Sequence, residues 1–349
     1  MQLRFRRFDL RLARTWRIAS GAAGAGGTDL YPVVLVELTD ERGSHGLGEA
    51  ASTMRYAQPV EVIEAFLAQV DPHRLSFDDV PGSMEYLGKL DEGNAAAKCG
   101  INIALLDGAA RNARKPIYEL LELGFTEDRH LTSFSIGIDA PDVIRQKANE
   151  AQGYPVLKLK VGGPEDRKNF AALREAAPAK PVRVDANEAW TTKEQALREI
   201  EWLARDGHVQ FIEQPMPALT PGDDWAWLKA RSPLPLCGDE SYHHASDAVH
   251  AAGCFDLVNV KLVKAGGITG AAAALRAARA AGLKTMIGCM IESSVLITAA
   301  AHLAELADHL DIDGNLLINN DPYLGATAEG GMISFARAPE PFGLRVRAR

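Results

Sequence analysis

The chain of 349 residues has no apolar run near the ~20 residues needed to span a bilayer, so no membrane residence is expected. Its basic N-terminal stretch, Met1 to Leu12, alternates charge with Leu and Phe and lacks the apolar block of a secretory signal. Cytoplasmic location is the resulting expectation. Cysteine is sparse: Cys99, Cys237, Cys254 and Cys289 are scattered without a C-x-x-C pair. That spacing suggests neither a zinc site nor a disulfide framework. Positive charge is in deficit, with 38 Lys and Arg against 46 Asp and Glu. With a net charge of −8 and no basic cluster interleaved with aromatics, a nucleic-acid partner is not expected. No glycine-rich phosphate loop follows the first strand-like run, which argues against an open doubly wound sheet.

What is present is an ordinary globular composition, 47% hydrophobic and 24% charged, with length for one large domain and a smaller one. Strand-like runs at Leu3–Leu12 and Tyr31–Leu38 flank the small-residue loop Ser20–Gly27, and Asp40–Gly43 supplies a turn. Helical patterns follow at Pro59–Val70 and Asn94–Ala113. Residues 1–120 thus read as an α+β capping domain. From Leu131 the pattern changes to short apolar runs alternating with amphipathic stretches such as Lys193–Arg205 and Gly267–Ala281. The expected strands are Leu131–Ile138, Val156–Val161, Val182–Asp185, Val209–Glu213, Leu234–Asp239, Leu257–Leu262, Lys284–Met290 and His309–Asp313. Eight such strands in about 180 residues fit a (β/α)8-type barrel over residues 121–315. The Gly- and Pro-containing segment 316–349 is expected to return to the capping domain.

In a parallel barrel, reactive side chains collect at the C-terminal ends of the strands. There the sequence places charge on strand after strand. The second strand carries Lys158 and Lys160, which point the same way because strand side chains alternate. The third ends at Asp185 with Asn187 beyond it, the fourth at Glu213 and the fifth at Asp239-Glu240. The sixth carries Lys261, followed by Lys264. Glu292 follows the seventh, and the eighth carries Asp311 and Asp313. One such residue is usually a solvated rim lysine or a helix cap. A consecutive run inside a barrel needs pairing or a metal. Asp185, Glu213 and Asp239 offer oxygen ligands from three adjacent strands, a set that suits Mg2+. A metal there can bind a substrate carboxylate and stabilise the enediolate left when an α-proton departs. Lysines flanking this centre can remove and return that proton.

Seven motifs carry a family resemblance: LKLKVG (Leu157–Gly162), VDANEAW (Val184–Trp190), IEQP (Ile212–Pro215), GDES (Gly238–Ser241), VNVKLVKAGGIT (Val258–Thr269), GCMIES (Gly288–Ser293) and DIDG (Asp311–Gly314). Together they resemble the enolase superfamily, muconate-lactonizing subgroup, and within it the dipeptide epimerases. The resemblance covers essentially the whole chain. It implies metal ligands at Asp185, Glu213 and Asp239, and an acid–base pair at Lys160 and Lys261. Lys158 is implied as electrostatic support near the substrate carboxylate. Lys264 and Glu240 are secondary to Lys261 and Asp239. The D-x-D pair Asp311 and Asp313 implies binding of a dipeptide's α-ammonium, which agrees with two carboxylates on one strand face. The implied reaction is a 1,1-proton transfer at the α-carbon of the C-terminal residue of a dipeptide. The implied partner is that small molecule; family members also associate into homo-oligomers.

Specificity for the second side chain is expected from the capping loops Trp16–Asp29 and Glu49–Tyr56. Relatives acting on L-Ala-D/L-Glu tend to place an Arg in the first loop, where this chain has Ser, Gly and Ala. Arg55 or Arg17 are the substitutes, and Ser133, Ser135 and Glu292 are further substrate-facing candidates. On the same scaffold the rivals are o-succinylbenzoate synthase, N-succinylamino acid racemase and muconate cycloisomerase, whose substrates carry no free ammonium for Asp311 and Asp313. A sugar-acid dehydratase would want a His at the seventh strand. A Schiff-base aldolase would not need three carboxylates around a metal, and a silent carboxylate-binding barrel would need neither lysine.

Overall fold

The computed structural model describes residues 1–19 and 27–349. The small-residue loop beginning at Ser20 therefore lies outside the described residues up to Gly26. Three antiparallel strands open the chain: β1 (Gln2–Trp16), β2 (Thr28–Thr39) and β3 (His45–Ala51). β2 is buried on both faces from Val33 to Val36 and again at Leu38, and the turn after it is closed by the Asp40 carboxylate, which accepts from the N–H groups of Arg42 and Ser44.

β3 is not announced by its sequence, HGLGEAA, which has little β-branched or aromatic content. Its glycines are a packing requirement. A Cβ on Gly48 would lie 1.9 Å from the Gly100 carbonyl oxygen, and one on Gly46 would lie 1.9 Å from that of Ala104. Both carbonyls belong to the helix α3 (Ala95–Asn112), which lies directly on β3. The helices α1 (Val60–Leu67) and α2 (Val80–Leu90) complete this cap. α2, too, is masked in sequence by Pro81, Gly82 and Gly88. α3 is buried along almost its whole length, because its far side meets the barrel: Asn102 donates to Thr269 Oγ1 and accepts from the Thr269 N–H.

Eight parallel strands form the barrel: β4 (Phe134–Ile136), β5 (Leu157–Lys160), β6 (Val182–Asp185), β7 (Val209–Glu213), β8 (Leu236–Gly238), β9 (Leu257–Lys261), β10 (Lys284–Gly288) and β11 (His309–Asp311). They pair in sequence order, and a bridge between Thr132 and Leu310 brings β11 back to the start. Several strands are shorter than their apolar runs. Leu131 is taken by Met332 from the C-terminal segment, which leaves β4 only three residues. β8 ends before Asp239 and β11 before Asp313. Inward side chains alternate into layers. The lower layer is apolar, with Phe211, Cys237, Leu257 and Met286 packed together. Two residues further along the chain from these come Glu213, Asp239, Asn259 and Gly288, with Lys261 two beyond Asn259 on the same face of β9, at the mouth.

The C-terminal segment meets the first elements. Ala13 donates to the Leu317 carbonyl, Asn319 to that of Arg11, and Leu344 N–H to Asp107 on α3. No helix among the described residues is long and apolar enough to cross a membrane, and the four cysteines are free thiols.

Candidate active site

A cavity of about 330 Å³ lies where the C-terminal ends of the strands face the cap. Its floor is charged. Register places Lys160, Asp185 and Glu213 side by side across β5, β6 and β7, and Lys261, Gly288 and Asp311 across β9, β10 and β11. Lys160 and Lys261 stand four strands apart in a ring of eight, so they face each other across the mouth. Asp185, Glu213 and Asp239 are fully buried.

Each lysine is held by carboxylates. Lys160 Nζ is 2.5 Å from Asp185 Oδ2, and Lys261 Nζ is 2.7 Å from Asp239 Oδ2. Lys158 Nζ sits centrally, 2.6 Å from Asp311, 2.8 Å from Glu213 and 3.2 Å from Asp185. Lys264 Nζ is 2.6 Å from Asp239 Oδ1 and also donates to the carbonyls of Asp239, Tyr242 and Asn259. Those four acceptors and its burial fix Lys264 below the floor; it does not line the cavity, whereas Lys261 does.

Among the described residues, no three acidic, His or Cys side chains are grouped as a ready-made metal cage. Lysine ammonium groups fill the space between the carboxylates instead. The donor set nevertheless fits a hard cation. Six buried carboxylates (Asp185, Glu213, Asp239, Glu240, Asp311, Asp313) face four lysines, leaving two negative charges over. Lys158 approaches Glu213 Oε2 off the hydrogen-bonding angle, so that oxygen has no hydrogen bond; nor do Glu240 Oε2 and Asn187 Oδ1. The excess shows in protonation. Burial, then the charge of Asp185, pushes Glu213 up to about 7, and burial with Asp239 pushes Glu240 up to about 8. Burial also works to raise Asp185 and Asp239, but the lysines beside them hold both below the usual carboxylate range.

Residues 13–122 match the mandelate racemase/muconate lactonizing enzyme N-terminal domain, and residues 143–329 match the enolase C-terminal domain-like family. The chain belongs to the mandelate racemase/muconate lactonizing enzyme family. This family member is 62% identical, over all of both chains, to the L-Ala-D/L-amino acid epimerase of Pedosphaera parvula. It is 35% identical to the L-Ala-D/L-Glu epimerase of Bacteroides thetaiotaomicron, over 97% of this chain and 86% of that one. A crystal structure of the dipeptide epimerase from Enterococcus faecalis V583, complexed with Mg and the dipeptide L-Leu-L-Tyr, matches it with a TM-score of 0.88 at 30% identity. That match covers 100% of this chain and 99% of the other.

The remaining expected residues of this family member fall into two groups. Asp311, Asp313 and Ser135 come together at the cavity's edge. Asp313 lies past the end of β11, not on its face. Its carboxylate reaches Asp311's neighbourhood because Ser135 gathers both: the Ser135 N–H donates to Asp313 at 2.6 Å, and its hydroxyl is 3.3 Å from Asp313 and 3.5 Å from Asp311. Ser133 stays below, donating to Asp311 at 2.6 Å. Three residues are placed otherwise. Glu292 is buried beneath the cavity, accepting from the Met290 N–H, while Met290 and Ile291 line the wall. Arg55 reaches the cavity, but its guanidinium is held by Glu188. Arg17 pairs with Asp139. Asn259, unremarked in sequence, donates to Glu213 at 2.8 Å. Its position two residues before Lys261, on the same strand face, was the available signal.

Proposed function

We propose that this isomerase inverts the α-carbon of the C-terminal residue of a dipeptide, with Lys160 and Lys261 as the two bases. The observation that carries this reading is the placement of the two amines on opposite sides of one mouth, with carboxylates between them and a D-x-D pair to one side. Inversion requires a proton to leave one face of a planar carbon and arrive at the other, and two opposed amines meet that demand. Asp185, Glu213 and Asp239 would hold a magnesium ion, whose charge stabilises the second negative charge of the enediolate. With Asp239 engaged by such a cation, Lys261 would lose the partner that favours its protonated form and could act as a base. Asp311 and Asp313 would take the dipeptide's ammonium: two acids share one site with a single lysine, so a second cation is accommodated. Lys158 supports the substrate carboxylate from the floor. The relatives named above support the same reading.

The test is α-proton exchange in D2O with Mg2+ on L-Ala-L-Xaa dipeptides, read by mass spectrometry and by epimer ratio. Lys160→Ala and Lys261→Ala should each lower epimerisation by at least ~10³-fold, while each retains exchange from the one epimer that faces the surviving lysine. Near-normal turnover in both directions by either variant would sink the two-base mechanism. Exchange confined to N-succinylamino acids would move the assignment to a racemase of substrates without an ammonium.

A further inference from the structure

Resting on the dipeptide reading, the geometry of the site also says where the second side chain goes. A planar enediolate keeps the carboxylate, the amide nitrogen and the side chain in one plane, with the proton travelling along the normal. Lys160 and Lys261 define that normal. The carboxylate belongs at the acidic floor, and the ammonium end runs to Asp311 and Asp313. The third in-plane direction, out toward the cap, is left for the side chain of the C-terminal residue.

The wall met in that direction is mainly apolar, with Ile18, Leu30, Met54, Tyr56 and Ile291 beside the hydroxyls of Ser52 and Thr53. Leu30 is 51% and Met54 62% exposed, two of only seven large hydrophobic side chains left open to water among the described residues. Two arginines reach the cavity from the cap, and each already has carboxylate partners. Arg7 is 2.7 Å from Asp9 and 3.7 Å from Glu61. Arg55 donates Nε and Nη2 to the two oxygens of Glu188 at 2.6 and 2.7 Å. Glu188 is well placed for this hold. Its side chain is 11% exposed, it also accepts from the Ala218 N–H at 2.7 Å, and its backbone is left-handed with φ 67°. Residues 20–26 carry no ionisable side chain that could supply a cation instead.

We propose that the Arg55–Glu188 ion pair sets substrate specificity: Glu188 removes the cap's guanidinium from play, and the cavity takes dipeptides with an apolar C-terminal side chain. Among the described residues of this wall, a dipeptide ending in Glu meets only arginines already paired with carboxylates, and one ending in Lys meets a carboxylate, Glu61, already paired with Arg7.

The experiment compares kcat/KM for α-proton exchange of L-Ala-L-Leu, L-Ala-L-Glu and L-Ala-L-Lys, using the full-length enzyme with Mg2+ and its Glu188→Gln variant. Glutamine keeps an acceptor for the Ala218 N–H. The unsubstituted enzyme should prefer Leu over Glu and Lys by ~10-fold or more. Glu188→Gln should move the Glu-to-Leu ratio toward Glu by roughly tenfold, chiefly through KM, and adding Arg55→Gln should remove that gain. Equal or better use of L-Ala-L-Glu or L-Ala-L-Lys by the unsubstituted enzyme overturns the proposal. So does an unchanged ratio in folded Glu188→Gln. Should Glu188→Gln not fold, Arg55→Gln alone decides: a collapse specific to L-Ala-L-Glu would show that Arg55 already binds substrate, whereas an unmoved ratio supports its sequestration. No exchange of any dipeptide would defeat the underlying reading and this inference with it, a result distinct from exchange with the wrong preference.

Discussion

Asp311 and Asp313 are two residues apart and titrate in opposite directions. Burial opposes ionisation of both, but the Lys158 ammonium 2.6 Å away holds Asp311 down at about 2. Among the described residues Asp313 has only Ser135 as a direct donor, and burial together with the charge of Asp311 pushes it up to about 7. An arriving ammonium would supply the missing counter-charge. Asp313→Asn should therefore raise the KM for a dipeptide by roughly tenfold, about 1.4 kcal/mol, while leaving the apparent Mg2+ affinity within ~2-fold. Steady-state kinetics beside a Mg2+ titration measures both. An unchanged KM would leave Asp313 as a residue that shapes the turn after β11.

At the scale of elements, the cap rests on the contact between β3 and α3. Glycine at 46, 48 and 100 lets a strand and a helix approach backbone to backbone. Asn102 then ties α3 to the barrel loop at Thr269, and a Cβ on Gly267 would lie 2.5 Å from Asn102 Oδ1. Gly48→Ala puts a methyl into a carbonyl that is fixed by its helix, so neither partner yields cheaply. The expected cost is about 2–3 kcal/mol, read as a lowered urea midpoint at unchanged slope. A loss below ~0.5 kcal/mol would mean that the strand and helix can separate without penalty. The same contact explains why β3 escapes a search for apolar alternation. Its residues were selected by what crosses them, and only the assembled cap reveals that partner.

For the whole molecule, the joint between cap and barrel contains a buried titratable group outside the cavity. Glu49, on β3, accepts from the Ser293 N–H at 3.0 Å and from its hydroxyl, in the loop beyond β10. Burial dominates and pushes Glu49 up to about 7 despite these donors. The folded protein thus holds this proton more tightly than the unfolded chain, whose value is near 4.5. The stability it contributes is full below about 4.5 and is lost as pH rises through about 7, a loss of order 3 kcal/mol at most. Glu49→Gln should accordingly be stabilised relative to the parent as pH goes from 5 to 8. Thermal midpoints across that range at fixed Mg2+ check it; a difference independent of pH would show that Glu49 does not change protonation on folding.

The sequence by itself determined the chemical inventory and its facing. Period-two alternation and βα spacing suffice to put Lys158, Lys160, Asp185, Glu213, Asp239, Lys261 and Asp311 at one end of a barrel, because those rules are local and each strand obeys them alone. The tertiary structure decided everything that depends on a partner arriving from elsewhere in the chain. It put Glu188 of the barrel onto Arg55 of the cap, a pairing across 133 positions. It made Lys264 a buried tie below the floor, lowered Glu292 beneath the cavity, and moved Asp313 off the strand while Ser135 kept it beside Asp311. Local periodicity says which way a side chain points; which charge meets it there depends on how separately folded elements are brought together.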